Sequence, residues 1–257
     1  MARRNVVIFG ASGCGKSSIV NMLSDGYVAD TAEDAEGRTF QSRNFNVNVL
    51  GQPMTLWDTV GFDEGEAGTV PNIDAIVQLY ALIRQLSDGV SLLMFVMRAP
   101  RIRDSVPRNW KLFREIVCQS KVPTVIVITG LELVANRNRW WWDNQERFQD
   151  DGIFPAGHAC ITATRGRQLA GGAGHLFDQA YRQSTRDVRE LIRSTALHRP
   201  WQVPAAEWFK NTFIAVLARR IFGMNIAGGA LKKLVSDCNM SKSDAMELAK
   251  RMRDAGV

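Results

Sequence analysis

The chain is expected to fold as an α/β protein, with a mainly parallel six-stranded sheet, one antiparallel strand, helices on both faces and a small helical extension at the C-terminus. Three observations predict this. Apolar runs of strand length recur, each followed by a loop and a helical pattern; one pair of runs reads as an antiparallel hairpin; and the first run enters a glycine-rich loop that opens a helix. The 257 residues are 46% apolar and 23% charged, which suits a globular chain with a substantial core and excludes a disordered or fibrous one.

The first strand is predicted over Asn5 to Phe9, where four bulky apolar residues in succession suit a strand buried on both faces. GASGCGKSS follows directly. Gly10, Gly13, Gly15, Lys16 and Ser17 satisfy G-x-x-x-x-G-K-[ST], in which glycines let backbone N–H groups wrap phosphates while the lysine reaches the β and γ oxygens. Ser12, Cys14 and Ser18 complete the expected nucleotide-phosphate cradle, with Cys14 read as a small residue tolerated in the loop, and Ser17 is the expected Mg²⁺ ligand. The helical pattern SSIVNMLSDG, stopping near Gly26, places the phosphates at a helix N-terminus.

Residues 45–49, FNVNV, alternate apolar and polar, and PMTLWD at 53–58 forms a second strand across a Gly-Gln-Pro turn. This second strand ends in DTVG. Asp58 is expected to hold Mg²⁺ through water and the Gly61 N–H to sense a γ-phosphate, so that a loop orders on the triphosphate and relaxes after hydrolysis. Residues 24–43 between the motifs are polar and aperiodic. Thr39 is the candidate for closing over Mg²⁺ and the γ-phosphate, with Thr31 as the weaker alternative. The next strand, SLLMFVMR, ends on Arg98 where a transport ATPase would need a metal-binding acid, which excludes that class. An ATP-using kinase would need a lid of arginines, for which Arg98, Arg101 and Arg103 form the nearby cluster.

VIVITGLE at 125–132 is then the fifth strand, ending on a turn and an acid at the edge where such sheets bind ligands. The order GASGCGKS, Thr39, DTVG, TGLE and CITATRG (160–166) resembles the motif series of a translation-factor-class G domain. The long switch, the threonine opening the base motif and the aromatic-rich helix after it resemble more closely the septin, Toc and GIMAP group of GTPases and related fungal G-domain proteins, over residues 5 to about 195. That resemblance implies a P-loop G domain binding GTP or GDP with Mg²⁺, with Thr129 and Glu132 at the guanine-reading positions and Ala163 and Thr164 in the loop whose backbone N–H meets guanine O6. Glu132 replaces the usual aspartate; its carboxylate suits the paired N1 and N2 donors of guanine, which adenine lacks. Gly130 departs from the pattern where the group carries a basic residue.

Among the tryptophans 140–142, packing of a helix on the sheet and shielding of the base both stay open. Phe62 follows DTVG where many small GTPases carry a glutamine, so slow intrinsic hydrolysis is expected. The resembled group also implies a homodimer across the nucleotide face, with Arg38 a candidate for acting on developing phosphate charge beside Lys16, Thr39 and Gly61. A GTP-dependent oligomerisation module with negligible turnover is the second reading.

The G domain is expected over residues 1–198, closed by a helix from about Leu176 to Leu197, and a basic helical extension over 199–257. Five of the six net positive charges lie beyond residue 198. An apolar face including Trp208, Phe213 and Ile221 beside Arg219 and Arg220 reads as packing on the G domain or as peripheral contact with a membrane surface. No nucleic-acid motif accompanies the basic excess, so no nucleic-acid partner is expected. The N-terminal apolar run is too short for a signal-peptide core, no uninterrupted transmembrane run occurs, and four separated cysteines suggest neither zinc nor disulfides, which together predict a cytoplasmic protein.

Overall fold

The computed structural model describes residues 4–24, 43–59, 82, 86, 88–100, 102, 106–107, 110, 114, 118 and 120–202. Its sheet runs β1 (Arg4–Gly10), β2 (Arg43–Val49), β3 (Gln52–Asp58), β4 (Leu92–Arg98), β5 (Thr124–Thr129) and β6 (His158–Cys160) along the chain. In space the order is β2-β3-β1-β4-β5-β6. All neighbours pair in parallel except β2 with β3. The expected six strands with one antiparallel member are therefore present.

Burial explains the strand sequences. Val6, Val7, Ile8 and Phe9 are fully buried, as are all six residues of β5, because both faces of the central sheet are covered. The edge strand β2 instead alternates in burial towards its end, with Val47 and Val49 inward. The hairpin turn sits one residue earlier than the sequence suggests, on Leu50 and Gly51, which both have positive φ. That geometry matches the twist of the flanking strands, and Asn48 Oδ1 accepts from the Gly51 N–H at 2.7 Å. Pro53 then falls inside β3, opposite Asn48 and one residue before the pairing with β1 begins at Met54. Its missing N–H thus costs no bond to β1.

One face of the sheet carries α1 (Lys16–Leu23) and α3 (Asp178–Thr195), which pack on each other and on the strands. Ile19, Val20 and Leu23 meet Val188 and Ile192 in this core. The other face is aromatic: Phe9 and Phe95 have centroids 5.2 Å apart, and Trp110 packs edge-on to Phe95 at 6.4 Å. Helix α2 (Arg137–Asp150), capped by Asn136 accepting from the Arg139 N–H, lies against β6. Of its three tryptophans, Trp141 is the packing residue, stacked on Phe148 at 5.1 Å and on His158 at 4.2 Å. Burial there pushes the His158 imidazole below its ordinary value. Trp142 is 62% exposed.

The last helix begins two residues later than expected, at Asp178 rather than Leu176. Its Ser184 hydroxyl donates to Ala180 O and accepts from the Thr162 N–H at 2.9 Å, which fastens the loop after β6. Beyond α3, Leu197 N–H reaches Ser91 O and Trp201 bridges Val90 in an antiparallel contact. No helix of the described residues is long and apolar enough to cross a membrane.

Two stability effects follow. Phe95→Ala should cost about 3–5 kcal/mol, since a nearly enclosed ring is replaced by a cavity; equilibrium urea unfolding measures it. Ser184→Ala should cost about 1–3 kcal/mol by orphaning the buried Thr162 N–H. A change below about 0.5 kcal/mol in the same assay, the ordinary size for an inconsequential surface change, would mean that this loop is held otherwise.

Candidate functional site

The site begins where β1 runs out between its neighbours. A Cβ on Gly10 would lie 2.1 Å from Val96 O, so no side chain fits where the chain turns away from the sheet. Gly13 and Gly15 take positive φ values of 68° and 100°. Gly15 is also closely overlaid, because a Cβ there would stand 3.1 Å from Thr129 Cγ2. The loop therefore needs its glycines for conformation and for contact.

Lys16 is buried and donates from Nζ to Gly10 O at 3.2 Å and Ala11 O at 3.0 Å. Its ammonium is thus folded back over the loop that would cradle phosphate. Ser17 Oγ donates to Asp58 Oδ2 at 2.7 Å, uniting the two residues expected at the metal. Asp58 Oδ1 is buried with no hydrogen-bond partner among the described residues. Burial raises the Asp58 carboxyl above its usual range, against the lowering effects of the Ser17 bond and the Lys16 and Arg43 charges. An orphaned acceptor beside a hydroxyl fits a hard divalent cation such as Mg²⁺, which commonly takes one carboxylate with water and phosphate oxygens. No group of three His, Cys, Asp or Glu that could hold a metal occurs among the described residues.

At the other end, β5 delivers Thr129, which is fully buried. Its hydroxyl serves Cys14 O at 2.7 Å and Met97 O at 3.3 Å. It therefore fastens the glycine loop to the sheet. After the left-handed turn at Gly130, Glu132 lines a cavity of about 460 Å³ together with Gly15 of the loop, Ser18 of α1, and Ala163 and Thr164 beyond β6. This volume lies in the range of small-ligand sites. Thr164 Oγ1 accepts from the Gly166 N–H at 3.1 Å, shaping that loop into a turn.

The structure thus gathers Gly15, Ser18, Thr129, Glu132, Ala163 and Thr164 around one cavity and sets Lys16, Ser17 and Asp58 at the loop beside it. Gly13 and Ser12 are exposed on the loop, and Cys14 is buried beneath it, its thiol pushed up by desolvation. Arg38, Thr39, Gly61, Phe62 and the alternative Thr31 lie outside the described residues. None of the described tryptophans lines the cavity; Arg98, Leu133 and Phe177 do. Arg98 was legible as the last residue of an apolar strand, whereas no local pattern around Phe177 announces its place.

Residues 5–129 match the family described as 50S ribosome-binding GTPase. The Rho-related GTP-binding protein RhoD of Homo sapiens is 25% identical over 174 residues, covering 66% of this chain and 69% of that protein. Among solved structures, Era in complex with MgGDPNP and a segment of 16S ribosomal RNA aligns with a TM-score of 0.50 at 16% identity, over 80% of this chain and 60% of Era. This chain thus spans about three fifths of Era's length. Toc33 from Arabidopsis thaliana in complex with GDP and Mg²⁺ aligns with a TM-score of 0.47 at 17% identity, over 77% of this chain and 88% of Toc33. The strand order, the glycine loop between β1 and α1 and the family match over residues 5–129 establish this domain as one with the P-loop GTPase fold.

Proposed function

We propose that the protein is a GTP-binding switch that hydrolyses GTP slowly to GDP and phosphate, assisted by dimerisation across the nucleotide face or by a partner. The observation that carries this reading is the shared cavity, in which the Glu132 carboxylate and the loop at Ala163 and Thr164 stand with Gly15 and Ser18. A carboxylate at that place accepts from both the N1 and N2 donors of guanine, and adenine offers no such pair.

In the reaction, water attacks the γ-phosphorus, the bond to the β–γ bridging oxygen breaks, and GDP departs. Lys16 would leave the carbonyls of Gly10 and Ala11 for the β and γ oxygens, and the backbone N–H groups of the loop would take the remaining phosphate charge. Ser17 and Asp58 would hold Mg²⁺, which neutralises phosphate charge when bound. Thr39 and the Gly61 N–H are assigned to sensing the γ-phosphate, and Arg38 to stabilising developing charge from the same or the opposing subunit. Phe62 in place of a water-orienting glutamine supports slow intrinsic turnover. It equally favours the second reading, an oligomerisation module gated by GTP with negligible hydrolysis.

Within P-loop GTPases, the motif order supports placement near the septin, Toc and GIMAP group and the fungal proteins related to them. We place the protein in the cytoplasm, with the apolar and basic C-terminal segment as a peripheral membrane contact; the composition of that segment supports this.

Calorimetric titration of nucleotide-stripped protein with GTP, GDP and ATP in Mg²⁺ should show guanine preference. Glu132→Ala should weaken guanine nucleotides on the order of a hundredfold, two charge-assisted hydrogen bonds being lost, and leave ATP nearly unchanged. ATP binding equal to or tighter than GTP would remove the guanine assignment and favour an ATP-using kinase. Phosphate release should rise more than linearly with protein concentration if dimers catalyse. An Arg38→Ala protein that dimerises and hydrolyses normally would end the role given to Arg38.

A further inference from the structure

Arg98 and Glu132 line the same cavity, yet neither side chain makes an ion pair or hydrogen bond with any described residue. A guanidinium and a carboxylate that share a pocket without pairing are both open to a ligand. Arg98 is the exposed last residue of β4, in register with Thr129 on β5. The backbone one residue further on explains where its side chain runs. A Cβ on Gly130 would lie 2.9 Å from Arg98 Cγ and 3.1 Å from Ala99 O. The aliphatic stem of Arg98 therefore occupies the space that a side chain at position 130 would take, and the glycine is what admits it.

From this placement we infer that Arg98 is a further specificity-determining residue, laying its guanidinium against the face of the guanine whose edge Glu132 holds. The inference rests on the guanine-nucleotide reading. A purine gripped by one edge still has two flat faces to shield from water. Arginine suits that task because its planar, weakly hydrated head stacks on aromatic rings while its stem lies along apolar surface. Its positive charge also offsets Glu132 in a pocket meant for a polyanion. The phosphate end already has its own cation in Lys16, held at Gly10 and Ala11 by its loop contacts. Arg98 instead lines the cavity with Glu132 and Thr129, to which the glycine loop contributes Gly15.

The test compares the unaltered protein with Arg98→Ala, Arg98→Met and Arg98→Lys, titrated calorimetrically with GDP, GMP and pyrophosphate in Mg²⁺. Arg98→Ala should weaken GDP and GMP by the same factor, on the order of tenfold, and leave pyrophosphate binding unchanged. Arg98→Met should retain part of the affinity through its unbranched stem, and Arg98→Lys part through charge. The melting temperature of the ligand-free protein should stay constant across the series, which separates the role from a structural one. Unchanged GDP affinity in Arg98→Ala would overturn the inference. So would a loss that is larger for GDP than for GMP and extends to pyrophosphate, since it would make Arg98 a phosphate contact. Unaltered protein that binds neither GDP nor GMP would instead remove the nucleotide reading beneath it.

Discussion

One buried hydroxyl ties the two ends of the site together. Strand β4 lies between β1 and β5, so the glycine loop leaving β1 and the turn leaving β5 are not neighbours through the sheet's own hydrogen bonds. Thr129 spans the gap with its single hydroxyl hydrogen, shared between Cys14 O in the loop at 2.7 Å and, more weakly, Met97 O of β4 at 3.3 Å. Its methyl group meanwhile rests over Gly15. A buried polar group is costly unless satisfied, so this hydroxyl holds the loop at a set distance from the strand that leads to Glu132. Any ligand that touches both ends depends on that distance.

The charged half of the site is arranged to be incomplete. Lys16 meets its need for acceptors with loop carbonyls, which is a weaker bargain for an ammonium than anionic oxygens. Asp58 has one oxygen satisfied by Ser17 and the other buried with no partner among the described residues. Both groups lie at the end of the sheet where β1 and β3 run out, Asp58 as the last residue of β3 and Lys16 as the first of α1. The packing of Phe9, Phe95 and Trp110 behind the strands supplies the rigidity that keeps these polar groups in place.

The glycines on the two sides of the cavity do different jobs. Gly10 is excluded from bearing a side chain by Val96 O, so it lets backbone approach backbone, while Gly15 lets the Thr129 side chain lie close over the loop. Gly130 makes room for a side chain from the adjacent strand. In a linear reading Gly130 is a missing basic residue; in space its position is covered by the stem of Arg98.

Much of this architecture is local and was therefore legible in the sequence. Continuous apolar runs, a hairpin, and a glycine loop between strand and helix depend on near-neighbour periodicity and backbone conformation, and these determined the six-stranded α/β fold, the phosphate-type loop and the positions of Ser17 and Asp58. The hairpin turn lies one residue earlier than Gly-Gln-Pro suggests because Pro53 pairs with Asn48 inside β3, where no bond to β1 needs its missing N–H. Likewise Trp141 could be assigned to packing only once β6 brought His158 beneath it. The convergence of Arg98, Phe177 and Ser184 on the loops after β5 and β6 was decided by the tertiary structure alone. Strand order and helix docking bring together residues tens of positions apart, and no local pattern encodes which side chain will share a cavity with which.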